Sequence, residues 1–195
     1  MTVHVLHIHT PNPYHCPEIS TVQNHKGIYM DLSPFVLGPI STYMPGVTAQ
    51  RFENLWQYSK VYKEHLTSDG FPSADRYVWR VKGWADTRAH RYPAGRGRKP
   101  EYSWWNLNKL GYIGARKQIY AKVYAEHVMK TTSFSLLHKL YTIRGEVTLW
   151  DYDAYDHIKL GMSLVDVINN PDRIMGHSFV LAMMLEGKLE ECLMV

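Results

Sequence analysis

The sequence predicts a single α+β domain, rich in helix with a few short strands, and three observations carry that expectation. The chain has 195 residues, close to the usual length of one domain. Phe52, Leu55, Trp56 and Ser59 recur at the three-and-four spacing of one buried helical face. Residues 146–150, Glu-Val-Thr-Leu-Trp, are rich in β-formers and read as the best strand in the chain. A composition of 45% hydrophobic and 21% charged residues is that of a packed globular chain and argues against disorder.

Residues 2–9 alternate around Val3, Val5 and Ile8 and read as a short strand. Residues 10–26, with their prolines and polar side chains, read as loop, and residues 27–40 as an extended piece ending in a turn at Gly38-Pro39. A helix is expected over 49–64, weak helix over 73–90, and a basic Gly/Pro loop over 92–100. Further helices are expected over 109–129 and 132–141, the second closed off by Gly145. After the strand come a turn at 151–156, a short helix over 163–168 stopped by Asn170-Pro171, and an apolar helix over 176–191.

Two cysteines, Cys16 and Cys192, build neither a zinc spacing nor a disulfide framework, so a reducing, cytoplasmic setting is expected. The N-terminus lacks the basic start and apolar run of a signal peptide, and no segment has the roughly 20 apolar residues of a membrane span. No metal and no cofactor are expected. The net charge is +4, and residues 76–99 hold eight Lys or Arg beside Asp75 and Asp86. That stretch suits a phosphate-bearing ligand or nucleic acid, and its plainer reading is a solvated loop.

Two constellations carry chemistry. Glu53, Gln57 and Lys60, spaced i, i+4 and i+7, share the helix face that borders Phe52 and Trp56. They read either as a polar site beside an aromatic wall or as a surface salt-bridge ladder. The second is Asp151, Asp153 and Asp156, in the loop just past the strand, where carboxylates meet ligands. Crowding there is expected to hold one of them protonated. Clustered Asp also suits Mg or Ca, but this loop lacks the Gly and closing Glu of a calcium site. His7-x-His9 without a third ligand reads as a structural pair, and Gly95-Arg96-Gly97-Arg98-Lys99 lacks the close of a phosphate loop. No G-x-S-x-G elbow or Cys/His nucleophile pattern is present.

Taken in order, these pieces resemble the NADAR (YbiA-like) family over about residues 31–186. Leu32-Ser33-Pro34-Phe35 with Gly38-Pro39-Ile40 resembles that family's L-S-N-F segment. Glu53-Asn54-Leu55-Trp56-Gln57-Tyr58-Ser59-Lys60 is similar to its E-H-A-Y-Q-A-A-K, and Trp104-Trp105 followed by Lys109 to its Trp-containing segment. Leu149 to Asp156 resembles L-V-E-x-S-P-Y-D, with Asp151 in the Glu position and Tyr155-Asp156 as its Tyr-Asp. Gly176-His177-Ser178 with Met183-Met184 resembles the closing helix. Asn54, Asp151 and Ser178 depart from the family's His, Glu and Asn, and the basic segment over 76–100 is longer than usual.

The resemblance implies an N-glycosidase hydrolysing the ribose C1–N bond of an ADP-ribosyl or related nucleoside-phosphate adduct, possibly on nucleic acid. Cleaving that bond builds positive charge on the sugar. Glu53 or Asp151 would stabilise it and orient water, and Asp156 would be the second acid/base group. Trp56 or Trp105 would stack on the base, Gln57, Tyr155 and His177 would bind substrate, and Lys60 with arginines of the basic loop would hold phosphate. The rival reading is a non-catalytic nucleotide or nucleic-acid binding module on the same fold, with binding that weakens steeply in salt.

Overall fold

The computed structural model describes residues 1–22 and 27–194. The fold is mixed α+β and helix-rich, with about 39% helix against 16% strand. The first elements are β1 (Thr2–His7), β2 (Glu18–Ser20), a 3-10 turn at Met30–Leu32, β3 (Ile40–Ser41) and β4 (Thr48–Ala49). Next come α1 (Phe52–Tyr58), β5 (Lys60–Val61), a 3-10 turn at Lys63–His65, α2 (Ala74–Ala85), β6 (Tyr102–Trp105) and β7 (Asn108–Leu110). Then follow α3 (Tyr112–Ala115), a π-helical segment Arg116–Ala121, α4 (Lys122–Val128), α5 (Thr132–Arg144) and β8 (Glu146–Asp151). The last are α6 (Leu164–Asn169), α7 (His177–Leu185) and α8 (Leu189–Leu193). The chain forms two compact units, Met1–Ser33 with Arg116–Val195, and Pro34–Ala115.

The first unit is built on a parallel sheet of order β1-β8-β2. Val3 lies opposite Val147 and Val5 opposite Leu149, while Ile19 flanks Leu149 from the other side. Val3, His4, Val5 and Leu6 are all buried, as in a parallel strand covered on both faces. Residues 177–183 are buried without a break, so α7 is a core helix with no polar stripe. It packs on β1, β8, α4, α6 and α8. Gly145, at φ 73, ends α5 in the left-handed conformation and passes the chain directly into β8. Arg116 closes the end of α6 by donating to the carbonyls of Val167, Ile168, Asn170 and Arg173 at 2.8–3.3 Å.

The second unit packs α1 on α2 beside the hairpin β3-β4 and the antiparallel sheet β5-β6-β7. Gly83 lets the two helices meet, since a Cβ there would come within 2.2 Å of the Tyr58 ring. Asn54 ties the chain after α2 onto α1. Its amide donates to the carbonyls of Asp86 and Arg88, and its oxygen accepts from His90 N, all at 2.8–2.9 Å.

Several boundaries differ from the sequence reading. The helix expected over 49–64 is only Phe52–Tyr58, because Lys60 and Val61 pair with Ser103 and Tyr102 of β6 instead. The loop expected over 10–26 contains β2, which β8 recruits as a partner, and residues 23–26 lie outside the described residues. The extended piece expected over 27–40 includes the 3-10 turn at Met30–Leu32. Ahead of the helix expected over 109–129, residues 108–110 form β7, and the helical segments start at Tyr112. The helix expected over 176–191 breaks into α7 and α8 at Gly187, whose φ is 67. Among the described residues no helix is long and apolar enough to cross a membrane.

Candidate functional site

In the second unit, Glu53, Trp56 and Gln57 of α1 meet Lys60 of β5, bringing four expected site residues together. Gln57 donates from Nε2 to Glu53 Oε1 at 2.8 Å, and its Oε1 accepts from Lys60 Nζ at 2.7 Å. The amide thus links a carboxylate to an ammonium in one hydrogen-bonded chain. Lys60 Nζ also lies 4.8 Å from the centre of the Trp56 ring. Glu53 and Gln57 are buried, which rules out the surface salt-bridge ladder. Burial pulls the Lys60 ammonium down to about 8, against the opposing effect of Glu53. This centre therefore combines a buried carboxylate, a cation that titrates near neutrality and an aromatic wall.

Trp105, on β6 of the same unit, packs its ring 4.7 Å from Tyr43 and 6.3 Å from Trp84. It belongs to an aromatic cluster and remains half-buried.

In the first unit, Asp151 and His177 are joined. Asp151 Oδ2 lies 3.0 Å from His177 Nδ1 and accepts from Ser178 N at 3.3 Å, at the start of α7. His177 Nε2 meets the Thr21 carbonyl at 2.8 Å, so both ring nitrogens are used. Burial alone would raise the Asp151 carboxyl, but His177 and the amides of Ser178 and Asp153 hold it below its usual range. Burial likewise opposes charge on His177, yet Asp151 raises it. The crowding expected to keep one Asp protonated therefore does not act on Asp151, because an imidazolium faces it. Its close neighbour Gly176 is required there, since a Cβ would stand 2.2 Å from Asp151 Oδ2.

Asp156 accepts from Tyr14 Oη at 2.8 Å and from Lys159 N at 3.0 Å. The Tyr14 phenol is pushed up to about 12 by burial and by Asp156. Tyr155 packs its ring 4.9 Å from Phe179, with the Arg173 guanidinium 5.1 Å from its centre.

Comparison with protein-family models, curated proteins and solved structures finds no match to this chain.

A group of metal-ligating types also meets in the first unit. His4, Cys16 and Glu146 place one ligand atom each within 4.8 Å of one another. His4 Nε2 and Glu146 Oε1 are 2.6 Å apart, while Cys16 Sγ lies 3.2 Å from Thr148 Oγ1. The imidazole and carboxylate satisfy each other, and burial raises the thiol, favouring the neutral form that a metal does not take. The sequence reading missed this group because its members are brought together by strand pairing. It gave Asn54 only as a departure from a family motif, although Asn54 carries the turn after α2, and counted the buried Arg76 and Arg80 within a basic segment. The i, i+4, i+8 spacing of Arg76, Arg80 and Trp84 is the signal that could have found the last two.

Proposed function

We propose that this chain is an N-glycosidase that hydrolyses the ribose C1–N bond of an ADP-ribosyl or related nucleoside-phosphate adduct. The observation that carries the reading is the Glu53–Gln57–Lys60 hydrogen-bonded chain beside Trp56. The ordered motifs that resemble the NADAR family support it further. In this reading Glu53 faces the positive charge that builds at C1 as the bond to the base breaks. Water adds to C1, loses a proton, and the departing base nitrogen takes one. Gln57 fixes the Glu53 carboxylate in place, and Lys60 holds an anionic oxygen of the substrate. Trp56 offers a ring face for the base.

Asp151 already neutralises His177, so the reading gives Glu53 rather than Asp151 the cation-stabilising part. The substrate is a nucleotide or an ADP-ribosylated base, free or on nucleic acid, and the setting is cytoplasmic. The test is release of free base or ADP-ribose from such substrates, followed by mass spectrometry, with Glu53→Gln in parallel. A binding module would keep its affinity in Glu53→Gln and show a steep salt dependence instead.

A further inference from the structure

Arg76 and Arg80 lie one turn apart on α2, at 0% and 5% exposure. Arg76 Nη2 donates to the carbonyls of Tyr58 and Ser59, each at 3.0 Å, while its Nε and Nη1 have no partner. Arg80 Nη1 donates to Tyr43 Oη at 3.0 Å, and its Nε has no partner. One turn further, the Trp84 ring centre lies 4.7 Å from the Arg80 guanidinium, and its buried indole N–H is also unpartnered. Among the described residues no carboxylate forms an ion pair with either arginine. Burial, and then the charge of Arg80, pull Arg76 down to about 10, which leaves it cationic at neutral pH.

Two buried like charges without a counter-charge, and four buried N–H donors without acceptors, form a combination that folded proteins avoid. Part of the cost is met by the rings of Tyr77 and Trp84, which lie 5.1 and 4.7 Å from Arg80. Ring faces accept no strong hydrogen bond, so the donors stay open. An oxyanion supplies both the charge and the acceptors.

We propose that Arg76, Arg80 and the Trp84 indole N–H form a phosphoryl-binding site, taking either inorganic phosphate or the phosphate of a nucleotide. Guanidinium forks match the spacing of phosphate oxygens, and a dianion balances two cations where a single carboxylate does not. Tyr43 and Trp105, half-buried and 4.7 Å apart, stand beside Arg80 and Trp84, where the organic part of an ester would lie. The site is argued from its own donors and does not rest on the glycosidase reading.

The test is calorimetric titration of the full chain with inorganic phosphate, pyrophosphate, ADP and adenosine. One phosphoryl ligand per chain should bind, adenosine should not, and Arg80→Met should weaken binding by at least about ten-fold. ADP binding more tightly than pyrophosphate assigns the site to a nucleotide, and equal binding assigns it to the inorganic anion. No binding of any phosphoryl ligand at millimolar concentration overturns the site. So does adenosine binding as tightly as ADP, or wild-type affinity in both Arg76→Met and Arg80→Met. Should those variants fail to fold, the indole N–H resonance of Trp84 in the wild type gives the answer. Phosphate should move it, and an unmoved resonance overturns the proposal.

Discussion

Asp151 and His177 form an ion pair inside the first unit, Oδ2 to Nδ1 3.0 Å, with each side chain less than a tenth exposed. The pair fixes the start of α7 against the end of β8, and its two members titrate in opposite directions. His177 is raised, so its contribution is full below its unfolded value of about 6.5 and is lost as pH rises through the raised value. Asp151 is lowered, so its contribution is present above about 3.9 and is lost as pH falls through the lowered value. Stability from the pair is therefore greatest between roughly pH 4 and 6.5, and declines on the alkaline side. Urea denaturation across pH should show that decline in the wild type and not in His177→Gln. Because the variant leaves a buried carboxylate uncompensated, it should also lose about 3–5 kcal/mol near neutrality.

The Lys60 ammonium should titrate at about 8 when followed by NMR at its side-chain carbon. Glu53 opposes the effect of burial, so Glu53→Gln should move the titration lower still. An ordinary value of about 10.4 in the wild type would show that Lys60 is solvated and not part of the α1 chain.

Two glycines are held by close approach. Gly176→Ala places a methyl 2.2 Å from Asp151 Oδ2, and Gly83→Ala places one 2.2 Å from the Tyr58 ring. Alanine inside α2 would otherwise favour the helix by about 1 kcal/mol. Both variants should instead be destabilised by about 1–3 kcal/mol in denaturant titrations.

Leu107 sits with Asn106 in the two-residue turn between β6 and β7, at φ 64 and 46. A positive φ costs a leucine roughly 1–2 kcal/mol, and Leu107 is exposed with little packing to offset this. Leu107→Gly should therefore raise stability by about 0.5–1 kcal/mol after glycine's own entropic cost. A lower melting temperature for the variant would contradict this.

Elements with strong local signals were legible in the sequence. The strand read over 146–150 follows from its β-branched and aromatic run, and the end of α5 from its closing Gly145. The sheet β5-β6-β7 was not legible. Its hairpin turn is Asn106-Leu107, without the glycine that usually announces such a turn, and its first strand has only two residues. Spacing alone placed Glu53 and Gln57 on one face, because a helix repeats locally, whereas Lys60 reaches Gln57 from β5, beyond the helix end. The partnership of Asp151 with His177 depends on α7 returning to the end of β8, which no local pattern encodes. Arg76 and Arg80 were counted with the exposed basic segment, since charge alone does not tell a buried guanidinium from a solvated one.

The most direct test of the glycosidase reading is turnover by the full chain on ADP-ribosylated guanine DNA, ADP-ribose adducts and a panel of nucleotides, read by mass spectrometry. The reading predicts that the wild type releases free base or ADP-ribose and that Glu53→Gln, which keeps the hydrogen bond to Gln57, does not. Turnover that is unchanged in Glu53→Gln, or no turnover on any substrate of the panel, would contradict it.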